Sequence, residues 1–309
     1  MPPSPDKPSA SQRVVVLSQA LQEAEAMKKA VSIWCFPGGT SIKDAMRQAK
    51  EAGFDGIELA MAEEGELSLQ TSPFGVKALR LEADRIGIEI SSLATGLGWK
   101  YSLFSNDPKE RAQAKAVHKK ALRAAQILDL DVILSVPGAL KPDIRYDVAY
   151  QRTVKAYQEL APAAEAYGVK IGVEVVWNKF LYSPMEFARL IDDVGHPYVQ
   201  AYFDAGNVLV FGYPQHWIEI LGKRIVKVHV KDFLTSVGNI TGFRPLLHGD
   251  VPFPEVVKAL QKVGYDDYLI AEVGPSEEVP REKLLKQTSE ALTKIIGYGG
   301  KAAKKGKKR

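Results

Sequence analysis

The chain has 309 residues, 46% hydrophobic and 25% charged, the balance of a globular protein with its own core rather than a disordered or fibrous chain. No run of about eighteen apolar residues is present to span a membrane, and a single cysteine, Cys35, excludes an internal disulfide framework and a cysteine-built zinc cage. The formal net charge of +4 comes from the last nine residues, KAAKKGKKR: without their six cations +4 becomes −2, and no basic stripe remains to follow a nucleic-acid backbone.

Residues 1–26 open polar and Pro/Ser-rich. RVVVLSQALQEAEA turns charged too soon for a signal peptide, so this segment is read as a partly disordered extension and the address as cytoplasmic. A catalytic unit is expected over 27–299, with a basic disordered tail at 300–309. From Met27 onward short β-branched runs alternate with amphipathic stretches. The strand candidates are AVSIWCF (30–36), DGIELA (55–60), IEISSLA (88–94), DVILSV (131–136), VKIGVEVV (169–176), VQAYFDA (199–205), IVKVHV (225–230) and YLIAEV (268–273). Helical stretches such as SIKDAMRQAKEAG, PKERAQAKAVHKKALRAAQILD and FPEVVKALQKVG separate them, and Gly53, Gly168 and Gly264 mark C-terminal caps. Eight such units predict an α/β fold of the (β/α)8 barrel type in one domain, whose usual size is about 250 residues. A doubly wound open sheet would need a glycine-rich dinucleotide turn after the first strand, and FPGGTS does not match it.

Barrel chemistry is carried at the C-terminal ends of strands. The last inward-facing polar residues of strands five to eight are Glu174, Asp204, His229 and Glu272. Period-two alternation puts Lys227, His229 and Lys231 on one face and Val226, Val228 and Val230 on the other. Asp204 closes an otherwise apolar run, and a lone buried carboxylate is costly without a partner. Three carboxylates and an imidazole converging in one place repel unless a cation lies between them. An oxygen-rich set with one nitrogen suits Mn²⁺ or Mg²⁺, with Co²⁺ open. Singly, each of these residues also fits a helix cap, a salt bridge or a core histidine.

GFDGIELA, GVEVVWNKF, YFDAGN, VHVKDF, HGDVPFPEVVKAL and YLIAEV together resemble the xylose-isomerase-like barrels of sugar phosphate isomerases and epimerases, nearest the ketose 3-epimerases of the D-tagatose and L-ribulose-5-phosphate types. The likeness runs from Met27 to about residue 295. It implies one divalent ion, Mn²⁺ by preference, on Glu174, Asp204, His229 and Glu272. It further implies that Glu174 and Glu272 act as acid and base on opposite faces of a metal-stabilised cis-enediolate, with a small sugar as substrate. By the same analogy the protein forms a dimer or tetramer.

Around this centre Trp34 is expected to end strand one and wall the sugar, and Glu58 to end strand two and hold a sugar hydroxyl or a neighbouring base. Arg244 and His248 lie in the long segment 231–252 after strand seven, a length typical of functional loops, and are read as substrate contacts. Asn207 stands where the tagatose-type enzymes carry a substrate-binding histidine, and their second glutamate after strand five has no match in EVVWNKFLYSP, which offers Lys179 and Leu181. The phosphate-specific branch carries an Asn at the position of Asn207, whereas Glu277 and Glu278 occupy the loop after strand eight where a phosphate would sit. Substrate phosphorylation stays open, with a lean to an unphosphorylated sugar. Aldose–ketose isomerisation, inosose dehydration and 3-keto-sugar lysis use the same scaffold and remain open. A metal-dependent endonuclease is disfavoured, because His118, His196, His216 and His248 do not fall at strand ends.

Overall fold

Strand β1 (Lys28–Ser32) leads into helix α1 (Ile42–Glu51), and the alternation then repeats to the end of the chain in a computed structural model that describes residues 27–274 and 279–300. The remaining strands are β2 (Gly56–Met61), β3 (Glu89–Thr95), β4 (Val132–Ser135), β5 (Lys170–Glu174), β6 (Val199–Asp204), β7 (Ile225–Val230) and β8 (Tyr268–Ala271). Between and after them run α2 (Pro73–Ile86), α3 (Pro108–Ile127), α4 (Tyr146–Tyr167), α5 (Pro184–Val194), α6 (Pro214–Leu221), α7 (Phe253–Val263) and α8 (Arg281–Gly300). The eight strands are parallel and close into a barrel, with β1 paired to β2 on one side and to β8 on the other. Expectations for the N-terminal extension, the basic tail, Glu277 and Glu278 lie outside the described residues. Among the described residues no helix is long and apolar enough to cross a membrane.

Local chemistry sets the helix ends. Ser41, Ser72, Asp107 and Ser183 each accept a backbone N–H as N-caps. Gly53, Gly168 and Gly264 take φ of 84°, 68° and 80° just past their helices, a conformation that costs other residues more.

Alternation along the strands separates two layers. Outward-facing Val31, Ile57, Leu59, Ile171, Val173, Phe203, Val228 and Leu269 pack under the helices in the main core. The barrel lumen holds a smaller apolar plug that includes Ala30, Leu134, Tyr202 and Ile270. At the N-terminal mouth Lys227, 3% exposed, pairs with Asp267 and with Asp131 at 3.3 Å. The polar residues above the plug therefore open only toward the C-terminal mouth.

Two register shifts interrupt this regularity, one at Ile57/Glu58 between β2 and β3, the other at Ala201/Tyr202 between β6 and β7. Such bulges re-aim the side chains that follow them. Here they aim Glu58 and Tyr202 at each other across the lumen, 2.6 Å apart. Gly172 leaves the space Tyr202 needs: a Cβ there would meet the Tyr202 ring at 3.0 Å.

Candidate metal centre

Glu174, Asp204 and His229 lie at or near the C-terminal ends of β5, β6 and β7, and Glu272 follows the last paired residue of β8. Each presents one donor atom, and the four donor atoms lie within 4.8 Å of one another. Asp204 also caps the one-turn helix Ala205–Val208: its Oδ1 accepts from the N–H groups of Gly206 at 2.8 Å and Asn207 at 2.9 Å. Its Oδ2 is buried and accepts no hydrogen bond; Lys231 Nζ stands 3.2 Å away without the alignment of one.

His229 is fully buried and held from both ring nitrogens. Nδ1 lies 3.1 Å from both Glu174 Oε1 and Glu272 Oε2, and Nε2 lies 2.9 Å from Glu58 Oε1. Glu58 Oε2 in turn accepts from Tyr202 Oη at 2.6 Å and Ser92 Oγ at 2.8 Å. A ring nitrogen backed by a carboxylate leaves the opposite nitrogen's lone pair free for a metal. Lys231, one strand repeat beyond His229, pairs with Glu272 Oε2 at 3.0 Å and approaches Asn207 Oδ1 at 3.4 Å.

These surroundings push the carboxyls apart. Burial raises Glu174 to about 7 despite the nearby His229. Burial also works against Glu272, but Lys231 and His229 outweigh it and bring the carboxyl down to about 2. Glu58 is likewise held below the ordinary carboxylate range, with His229, Tyr202 and Ser92 overcoming its burial.

The donor set fits a divalent ion. It offers three carboxylates and one imidazole in hard-cation proportions, and the unbonded Asp204 Oδ2 is a buried acceptor oriented into the cluster.

The other expected site residues are placed differently. Trp34 does not end β1; it lies in a 3-10 turn at Ile33–Cys35, 39% exposed, so it is no core residue but part of the rim. Glu58 is 0% exposed and both its oxygens are engaged, so it holds His229 instead of facing a sugar hydroxyl. Asn207 is 3% exposed, with Nδ2 donating to Val175 O at 3.2 Å and to Glu174 Oε1 at 3.4 Å; it braces a cluster residue instead of lining open space. Arg244 sits in a short ribbon, Asp232–Phe233 against Phe243–Arg244, where its Nη1 donates to Thr241 O and Phe243 O. His248 lines a cleft against α8 with Val279, Leu284 and Thr288, and none of the four cluster residues lines that cleft. Lys231, Tyr202 and Ser92 belong to the centre and were not singled out by sequence, although Lys231 shares the face of His229.

The fold has counterparts among known proteins. Residues 46–295 match the family model described as xylose isomerase-like TIM barrel. An L-ribulose-5-phosphate 3-epimerase, UlaE, of Shigella flexneri serotype 5b (strain 8401) is 26% identical over 258 residues, covering 81% of this chain and 88% of that protein. Among solved structures, an L-ribulose 3-epimerase superposes with a TM-score of 0.77 at 17% identity, covering 92% of this chain and 99% of that one. A D-tagatose 3-epimerase-like protein superposes at 0.75 with 24% identity, covering 90% and 100%. At these identities the two superpositions establish a shared fold.

Proposed function

The chain belongs to the xylose isomerase-like TIM barrel family, and on that premise we propose that it is a divalent-metal-dependent ketose 3-epimerase, with residues 27–299 as the catalytic unit. The observation that carries this reading is the convergence of Glu174, Asp204, His229 and Glu272 at one mouth of the barrel. Its likeness over most of its length to an L-ribulose-5-phosphate 3-epimerase supports the reaction class.

Inverting the carbon beside a ketone requires a proton to leave one face and another to arrive on the opposite face. A bound divalent ion, Mn²⁺ by preference, would supply concentrated positive charge to polarise the ketone. Glu174 and Glu272 come from β5 and the end of β8, and one oxygen of each lies 3.1 Å from His229 Nδ1. In this reading the two carboxyls serve opposite faces of a flat carbon, one removing the proton and the other returning it. Each positioned carboxyl is worth about 10²–10⁴-fold in rate. Asp204, fixed by two backbone N–H groups, contributes charge without having to move. Burial of the cluster limits competing water and strengthens every charge interaction within it.

The test is hydrogen exchange. Mn²⁺-loaded protein is incubated in D₂O with a panel of ketoses and ketose phosphates and followed by NMR. Deuterium at C3 is the expected result and also identifies the accepted sugar. Deuterium at C1 or C2 would make the protein an aldose–ketose isomerase, and no exchange in any sugar would overturn the reading.

A further inference from the structure

The outer side of the cluster carries a charged residue that is not one of the four donors. Side-chain exposure is 0% for His229 and Asp204 and 3% for Glu174, but 22% for Glu272 and 14% for Lys231. The last two therefore form the side from which a substrate arrives. Lys231 directly follows β7 and continues the alternation of Lys227 and His229 one repeat nearer the mouth. Its ammonium is drawn in by Asp204 Oδ2 at 3.2 Å and Glu272 Oε2 at 3.0 Å. A third acceptor, Asn207 Oδ1, lies 3.4 Å away, so the ammonium is held by acceptors on the same side of the cluster that stays partly exposed.

The backbone is built to keep it there. Gly206 packs against Lys231 so closely that an added Cβ would lie 2.5 Å from Lys231 Cβ and 2.9 Å from its carbonyl. The Phe243 ring lies 5.7 Å from Nζ and limits its swing. An ammonium this enclosed carries a desolvation cost that a mere surface counter-ion would avoid.

We propose that Lys231 is a substrate-contacting catalytic residue, donating a hydrogen bond to the sugar oxygen that becomes negative as the neighbouring carbon loses its proton. This rests on the epimerase reading. A preorganised cation at such an oxygen stabilises the transition state more than the ground state, because the charge it meets is absent until reaction begins. Its signature is a fall in kcat larger than any rise in KM.

The experiment compares wild type, Lys231→Met and Lys231→Arg, each checked for folding by circular dichroism. Mn²⁺ binding is measured by calorimetry and C3 exchange in D₂O by NMR. The expected result for Lys231→Met is a kcat lowered about 100-fold or more, with Mn²⁺ affinity within about threefold of wild type and Lys231→Arg intermediate. Exchange within about fivefold of wild type would overturn the assignment. So would a loss of Mn²⁺ affinity matching the loss of activity, since Lys231 would then serve the cage alone. If Lys231→Met does not fold, Lys231→Arg decides: lowered kcat with retained Mn²⁺ affinity supports the role, and unchanged kcat overturns it. If wild type exchanges no ketose, the epimerase reading fails separately, and xylitol becomes the probe. A xylitol-induced rise in the melting temperature of the Mn²⁺-loaded protein that the variants lose would support Lys231 as a sugar contact; an equal rise, or none, would overturn it.

Discussion

Glu58 and His229, on opposite sides of the barrel, meet with 2.9 Å between Oε1 and Nε2. Glu58 thereby fixes which imidazole nitrogen faces the other three donors. Replacing such an outer carboxylate typically costs about 10–100-fold in metal affinity. Glu58→Gln is therefore expected to weaken Mn²⁺ binding by about that factor in calorimetry while the circular dichroism spectrum stays native. Unchanged affinity would leave the contact as packing alone.

Glu272→Gln keeps the shape of the side chain and removes its basicity. Loss of C3 exchange by about 10²–10⁴-fold in a folded protein is expected. Residual exchange near the wild-type rate would sink the two-carboxyl scheme.

Burial raises the Glu174 carboxyl to about 7. A carboxyl raised in the folded state gives its full stabilisation below its unfolded value near 4.5 and loses it as pH rises through the folded value. Chelator-treated protein should therefore lose stability between pH 5 and pH 8. Thermal melts of chelated wild type and Glu174→Gln at both pH values test this: the variant is expected to show the smaller fall, and parallel falls would refute the assignment. Restoring Mn²⁺ should remove most of the wild-type loss, because the ion favours the ionised carboxyl.

Gly206→Ala adds a methyl group where Lys231 Cβ is 2.5 Å away and its backbone 2.9 Å away. Neither is the yielding end of a side chain. Overpacking of this kind costs about 1–3 kcal/mol, to be read as a lower urea midpoint. C3 exchange should fall as well, because the same shift displaces Lys231; a wild-type midpoint would show that the turn can relax.

Much of this was visible in the sequence because barrel strands impose a period of two. A polar residue at the open end of an apolar strand stands out, and Glu174, Asp204, His229 and Glu272 did so. Strand β7 has the bounds expected, whereas β1 spans Lys28–Ser32 where 30–36 was expected, because the chain turns at Ile33–Cys35 and carries Trp34 onto the rim. Of the two partners expected for Glu58, a sugar hydroxyl or a neighbouring base, the structure gives it the imidazole of His229. Its role depends on two bulges and on the reach of Tyr202 across the lumen, which no local pattern encodes. Asn207 was read against a relative's histidine, but burial turns it toward Glu174 and Val175. Lys231 shared the face of His229 in plain view, yet only exposure and distance separate it from Lys227 at the other mouth.

Cys35 ties the first turn of the barrel to the last strand: its thiol donates to Ala271 O at 3.3 Å and accepts from Val273 N–H at 3.1 Å, gripping the peptides on either side of Glu272. Three donors come from neighbouring strands in the middle of the chain, but the fourth takes its place only where the two ends of the barrel meet. A folding chain can thus form β5 through β7 and still lack a complete coordination set. Tight ion capture would then report that the ring has been sealed, and the ion would act as a latch on the seam.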